Sequence, residues 1–329
     1  MASYLNVYLE HSLGFQGGQL GWFNGLTTLA PVAVLPLLGR WADRTGRGGW
    51  MLTGALGAAL VGAGLLSLQT GLLGALLWGV LWETARDACV SLADKGAVEL
   101  CEAEGRNYGA VRIFGSLGFL AGGMAMGFAA RRWALERVLF PVYLALVAAG
   151  CALSFAFYRP ASASRPGPGR PGGLGALFRR PGFRLALLLG VQGSVAVSAL
   201  QPYLGNHLVT VMGADASILS WNTLCCVVPE LILLPLAAGK ALPRWGFYPV
   251  CLTVTLALAL RCAVYALAPT PGIFLAGSLL YGFSVCGYTA VNLVLLRRAV
   301  PREHYAAAVL TNAAVSTVGR AVFSWLFGL

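Results

Sequence analysis

The chain has 329 residues, of which 58% are apolar and only 11% charged, with a mean hydropathy of +0.73. A water-soluble domain of this size cannot hide so much apolar surface in one core, so lipid is the expected solvent. The net charge of +11 at pH 7 would suit a nucleic-acid partner, but that reading fails once the cations are placed along the chain.

Apolar stretches of about twenty residues, each able to cross a ~30 Å hydrocarbon core as a helix, recur at 19–38, 50–68, 71–92, 109–130, 138–157, 185–205, 216–238, 247–268, 272–295 and 305–327. They predict an all-α polytopic membrane protein. Their Gly, Pro and Ala content suits membrane helices, where neighbouring helices re-satisfy the backbone and small residues permit close approach.

Between the first two stretches lie residues 39–47 (GRWADRTGR), and a weaker copy, residues 239–246 (GKALPRWG), returns between two later ones. A loop that repeats itself at this distance points to internal duplication. The first copy reads G-x-x-x-D-R-x-G-R and resembles the signature loop of the major facilitator superfamily, with Gly48 where a basic residue is expected. The resemblance implies two six-helix bundles that rock about a central site. In that twelve-helix frame, residues 1–13 (MASYLNVYLEHSL) correspond to the outer half of the first helix. The chain stops where the eleventh should finish, so a partial first helix and no twelfth are expected. The implied organisation is an N-terminal bundle over 1–158, a cytoplasmic linker over 159–182 and a C-terminal bundle over 183–329. In the family the acid of this loop steadies the state closed to the cytoplasm, which makes Gly39, Asp43, Arg44, Gly46 and Arg47 the expected conformational latch. A contact between such an acid and a helix N-terminus is worth about 0.3–1 kcal/mol when exposed. Pro243 replaces the acid in the second copy, so only the first is expected to act.

The positive-inside rule fixes the expected orientation. Of 23 basic residues, Arg131, Arg132 and Arg137 fall in outer loops and Arg86, Arg112, Arg261 and Arg320 within spans. The remaining sixteen all lie in loops on the side of Asp43, which becomes the cytoplasmic side of a bacterial-type inner membrane. The net charge is thus a topology signal, and no nucleic-acid partner is expected.

Residues 159–173 (RPASASRPGPGRPGG) read as a solvated linker. Residues 174–178 (LGALF), followed by two arginines, could lie along the inner membrane surface. Seven of the eight cysteines fall within spans, Cys101 lies in a cytoplasmic loop, and the three histidines sit at separate helix ends. Neither a disulfide framework nor a metal site is expected, and no cofactor beyond a proton gradient as energy source.

Chemistry is sought among ionisable groups inside spans, each costly in hydrocarbon. In the span at 71–92, Glu83, Arg86 and Asp87 share one helical face beside Trp78 and Trp82, either as a binding surface or as a self-neutralised stripe that locks two helices. The next span opens YGAVRIFGSLGF from Tyr108, which resembles the Y-G-x-x-R-x-x-G-S-x-G-F segment of the branch that includes lactose-permease-like and phenylpropionate-permease-like proton symporters. By residue counting Asp87 lies about 8 Å from its helix's inner end and Arg112 about 6 Å from its own, so the two can meet. The glycine rows Gly118 with Gly122 and Gly123 with Gly127 suit tight contact between helices. In the family this helix packs on the eighth.

Glu230 follows Pro229 in the span at 216–238, with no basic residue within a turn on its own helix. Such a carboxyl can take up and release protons as a cavity opens to either side. The branch has a similar acid there, which makes Glu230 the leading proton carrier, ahead of Glu83 and Asp87. The alternative is a hydrogen-bonded or Arg-paired structural acid. Arg261 is similar to an arginine of the same branch, but lies some 9 Å above Glu230 by counting. Tyr281, Ser284, Tyr288 and Asn292 share one face of the span at 272–295, and Gln192, Ser194, Ser198 and Gln201 line that at 185–205. Where relatives often have His-Gly, this chain has Tyr281-Gly282, which removes a histidine relay. Trp78, Trp82, Glu83, Arg112, Gln192, Gln201, Arg261, Tyr281, Tyr288 and Asn292 are therefore the expected solute-binding residues.

These features describe a secondary active transporter, not an enzyme. Its expected mode is proton-coupled alternating access, with symport of a small polar organic solute: a sugar, a nucleoside or an aromatic acid. Proton-antiport export is the second reading within the class, and a polytopic enzyme or receptor lies outside it. The expected partners are the solute, the proton and the bilayer, with the chain acting as a monomer. The acids Asp94, Glu99, Glu102 and Glu104, the one cluster an enzyme could use, read as a solvated loop.

Overall fold

Helices take up nearly all of the described chain, and they run through prolines such as Pro31, Pro36 and Pro141. The computed structural model describes residues 2–45, 48–106, 108–157, 177–195, 200–236, 242–300 and 305–328. Among them the helices run α1 (Ala2–His11), α2 (Gly17–Thr45), α3 (Gly48–Leu66), α4 (Leu72–Glu104), α5 (Tyr108–Arg132), α6 (Leu135–Phe157), α7 (Pro181–Ser194) and α8 (Gln201–Asn206). A π-helical turn over His207–Val211 follows, then α9 (Ile218–Leu236), α10 (Leu242–Trp245), α11 (Phe247–Leu267), α12 (Pro271–Ser278), α13 (Leu280–Ala299) and α14 (Tyr305–Phe327). No strand occurs among the described residues, and every expected span coincides with one or two of these helices.

Five described segments are long and apolar enough to cross a membrane on their own: Gly17–Gly39, Gly49–Leu66, Ile113–Arg132, Leu135–Ala156 and Tyr248–Leu267. Helix α4 fails that test because Glu83, Arg86 and Asp87 occupy its middle, and the expected spans at 185–205 and 272–295 are each divided between two helices. The polarity of these helices is inverted relative to a soluble protein. On α11, Leu252, Leu256 and Leu260 form an exposed row at helical spacing while Arg261 on another face is only 1% exposed. Apolar side chains outward and a cation inward is the pattern of a helix solvated by lipid.

Two expectations change. Residues 39–45 do not form a loop: α2 continues to Thr45, because nothing between Gly39 and Thr45 breaks a helix once it leaves the apolar window. Likewise α4 runs 33 residues to Glu104, so Asp94, Glu99, Glu102 and Glu104 ride on a helical extension about 50 Å long in total at 1.5 Å per residue, not in a loop. Only past Glu104 does Gly105, at φ +63°, turn the backbone through the left-handed region that glycine tolerates.

The chain forms two compact units. One comprises Tyr8–Gly122, Trp133–Arg170 and Trp325–Leu329. In it α4 packs on α2 and α3, and α3 also on α6. Gly62 of α3 lies against the backbone of Trp82, where a Cβ would come within 2.9 Å of the Trp82 nitrogen, so α3 sets the height at which α4 presents Trp82 and Glu83.

The other unit comprises Met1–Val7, Gly123–Arg132 and Pro171–Ser324. Here α13 packs on α7, α9 and α11. The α9–α13 crossing depends on Gly282, where a Cβ would sit 2.6 Å from the Glu230 nitrogen and 2.7 Å from Pro229. The second glycine row behaves as expected, since Gly123 faces Thr223 and Gly127 faces Ser220 of α9. The first does not. Among the described residues, Gly118 has nothing within 4 Å of an added Cβ, and Gly122 meets only Leu146, at 3.8 Å.

Most of the expected linker, residues 159–176, lies outside the described residues. Leu177, expected along a membrane surface, is instead 2% exposed in a cluster with Phe183, Ala186, Leu187, Leu296, Val300 and Ala308. Phe178 meets Phe183 edge-on at 5.5 Å but stays 44% exposed, so of the two described residues of that segment only Leu177 is taken into the core.

Candidate functional site

Among the described residues, each unit brings predicted site residues into a cluster of ionisable and aromatic side chains. In the unit built on α4, Arg86 Nη2 donates to Glu83 Oε1 at 2.5 Å and to Asp87 Oδ1 at 3.0 Å. One cation therefore serves two carboxylates. The guanidinium lies 5.7 Å from the centroid of Trp82, a cation–π contact, and Trp82 meets Tyr143 of α6 edge-on at 5.8 Å. Trp82 is buried, while Glu83, Arg86 and Asp87 are half-buried and Trp78 sits half-buried one turn earlier. The expected meeting of Asp87 with Arg112 concerns a side chain outside the described ones, and Asp87 pairs with its neighbour Arg86. The same holds for the expected latch. Gly39 lies within α2, Asp43 and Arg44 are described by backbone only, and Gly46 and Arg47 fall outside the described residues.

In the other unit the cluster centres on Arg261. Its guanidinium is clamped between the rings of Tyr265 and Tyr281, at 5.0 Å and 4.9 Å from their centroids. Its Nε donates to Tyr265 Oη at 3.1 Å, whereas Nη1 and Nη2, both buried, make no hydrogen bond among the described residues. Gln201 lies close to Tyr281 and to Cys226, and Tyr281 lies within electrostatic reach of Glu230, Arg261 and Cys226. Four of the expected residues, Gln201, Glu230, Arg261 and Tyr281, are thus brought together from α8, α9, α11 and α13. The height difference obtained by counting along straight spans did not keep Arg261 and Glu230 from sharing Tyr281 as a neighbour.

The remaining expected residues lie elsewhere. Tyr288 and Asn292 sit two and three turns further along α13. Tyr288 packs against the Val250, Val254 and Val291 cluster and covers Gly193 of α7, while Asn292 is buried and its side-chain oxygen has no hydrogen-bond partner among the described residues. Gln192 is exposed on α7, and Ser198 lies outside the described residues.

Sequence reasoning missed Tyr143, Tyr265, Ser278 and Asn222. Tyr265 carried a signal, one turn beyond Arg261 on the same helix. Ser278 and Asn222 carried none, since they meet across 56 residues of chain. A polar stripe on α14 also went unnoticed. Asn312 and Ser316 face Gly190 of α7, and neither the Asn312 oxygen nor the Ser316 hydroxyl has a hydrogen-bond partner among the described residues.

A sequence profile described as the MFS_1 like family matches residues 1–329. The chain belongs to that family. Over 331 residues it is 29% identical to the maltose permease of Geobacillus stearothermophilus, covering 98% of this chain and 80% of that protein. Its fold superposes on that of the nucleoside transporter NupG with a TM-score of 0.83 at 15% identity, over 99% of this chain and 85% of NupG. It also superposes on a D-xylose-proton symporter with a TM-score of 0.70 at 16% identity, over 99% and 84% of the two chains. The family's fold is that of membrane transporters, not enzymes, and this member is an integral membrane transporter of a small solute. Its described cysteines are free thiols.

Proposed function

We propose that this family member takes up a sugar or a nucleoside together with protons, as a monomer in a bacterial-type cytoplasmic membrane, with the Asp43 end of α2 on the cytoplasmic side. The observation that carries the reading is the Arg261 cluster: a buried cation between two tyrosine rings, with two donors unbonded and Gln201 and Glu230 in the same neighbourhood. Rings and parallel donors suit a ligand that presents a flat face and adjacent oxygens. The names of the permease and symporter relatives, which specify a sugar, support the same class.

Proton coupling needs a carboxyl whose charge can change without leaving a buried partner stranded. Glu230, in the cluster with Tyr281 and Arg261, is the candidate, its lost charge being offset when the solute's oxygens take up the Arg261 donors. The α4 cluster offers a second place, because protonating either Glu83 or Asp87 still leaves Arg86 one carboxylate. Alternating access then moves solute and proton together through a site near mid-membrane.

The test uses vesicles that hold the purified protein and a pH dye, challenged in turn with maltose, D-xylose, uridine and an aromatic carboxylate. Acidification of the lumen on addition of maltose, xylose or uridine is expected. A response to the carboxylate alone would contradict the solute class, and alkalinisation would mean proton antiport.

A further inference from the structure

Behind Arg261 lies a second row of buried polar groups that touches none of the expected solute-binding residues except Arg261 itself. Tyr265 Oη is 2.9 Å from Ser278 Oγ, and Ser278 Oγ donates to Asn222 Oδ1 at 2.6 Å. Arg261, Tyr265, Ser278 and Asn222 are 1%, 8%, 0% and 5% exposed, so water does not compete for these bonds.

Proton counting gives the row one direction. Arginine Nε–H can only donate, and the asparagine side-chain oxygen can only accept. Arg261 therefore donates to Tyr265 and Tyr265 to Ser278, and the single Ser278 proton goes to Asn222 Oδ1 at 2.6 Å in preference to the Phe274 carbonyl at 3.3 Å, so each hydroxyl accepts once and donates once. Bonds linked in this way polarise one another in a low-dielectric interior. The Tyr265 ring is held as well, stacked on Phe274 with centroids 4.1 Å apart and planes 13° from parallel.

We propose that Asn222, Ser278 and Tyr265 are positioning residues for the solute. They fix the plane and direction of the Arg261 guanidinium, so that Nη1 and Nη2 meet two adjacent oxygens of the incoming sugar or nucleoside without first losing side-chain freedom. The inference rests on Arg261 being a solute contact, as in the function proposed above. It explains why a buried cation is left with two unbonded donors, an arrangement that otherwise costs stability. The energy is recovered when the solute supplies acceptors, and the chain keeps those donors from turning to some other partner in the empty protein.

Two readouts separate the parts. Tyr265→Phe keeps the ring and removes the hydroxyl, and Ser278→Ala cuts the row one bond further on. Phenylglyoxal labelling at Arg261, read by mass spectrometry on the reconstituted protein without solute, is expected to rise severalfold in either variant as the guanidinium is released. KM for maltose or uridine, whichever the wild type carries, is expected to rise about tenfold with Vmax within twofold, the loss of about 1.4 kcal/mol of binding. The double variant is expected to be no worse than Tyr265→Phe alone, because both lie in one series. Unchanged labelling in both variants overturns the positioning role whatever transport does. Increased labelling with an unchanged KM overturns the solute contact of Arg261 and leaves the positioning standing.

Discussion

Replacing Arg261 with methionine is expected to reduce uptake about a hundredfold or more while leaving the protein as stable as before, or more so. The first part follows from losing two charge-assisted bonds to solute, each worth about 1.5–3 kcal/mol, at about 1.4 kcal/mol per factor of ten. The second follows from what Arg261 costs the empty protein. A cation that is 1% exposed with two unbonded donors is poorly compensated, and a well-packed apolar residue of similar length removes that penalty. Methionine gives up the Nε bond and the cation–π contacts with Tyr265 and Tyr281, while the Tyr265 hydroxyl keeps Ser278. Solute flux in vesicles and thermal unfolding in detergent measure the two effects separately. A methionine variant that loses both transport and thermal stability would mean that Arg261 is a structural cation. This opposition between stability and activity is common at functional sites.

Gly127→Val is expected to prevent α5 from seating on α9, lowering the unfolding temperature and the yield of folded protein. A valine side chain there would occupy the place of the Ser220 side chain, with the Ser217 carbonyl 3.3 Å from its Cβ. Ser220 is buried and hydrogen-bonded to that carbonyl, so the helices must separate. Overpacking of this kind costs about 1–3 kcal/mol. Gly118→Val, two and a half turns earlier on the same helix, is the control. Nothing lies within 4 Å of a Cβ there, so the unfolding temperature is expected to stay constant. Equal losses in both variants, measured by fluorescence-detected size exclusion after a heat step, would contradict the packing described here.

The two glycine rows show where sequence reasoning reached and where it stopped. Small residues four apart announce that a helix can be approached closely, and Gly123 and Gly127 are approached so. The identical spacing of Gly118 and Gly122 carries the same signal and is left open, because which face meets a neighbour is decided by tertiary packing. The spans were legible for the same reason that they insert: about twenty apolar residues leave few alternatives in lipid. Helix ends were not. The GRWADRTGR segment reads as a loop by composition, yet α2 runs through its first seven residues, since polar residues do not stop a helix unless a breaker is present. Ionisable residues in spans were found by their cost in hydrocarbon, which picked out Glu83, Arg86, Asp87, Glu230 and Arg261. Uncharged polar partners such as Asn222 and Ser278 cost less, occur throughout membrane helices, and acquire meaning only when α9, α11 and α12 are brought together.

Pro229 and Gly282 join the local and tertiary levels. Proline removes one N–H from the ladder of α9, and Gly282 lets the backbone of α13 rest against the Pro229–Glu230 peptide. The carboxyl of Glu230 therefore leaves the helix at a point that is rigid on one side and lacks a backbone bond on the other. A group that must change its charge during each cycle benefits from a fixed position.

The most direct test of the account is Glu230→Gln in vesicles, with two fluxes measured on one preparation. Glutamine imitates the protonated acid but cannot release a proton. Solute exchange between equal pools needs no deprotonation and is expected to persist, whereas accumulation driven by a pH gradient, and the acidification that accompanies it, are expected to vanish. Accumulation that continues in the glutamine variant would contradict the assignment of the proton to Glu230 and move it to Glu83 or Asp87.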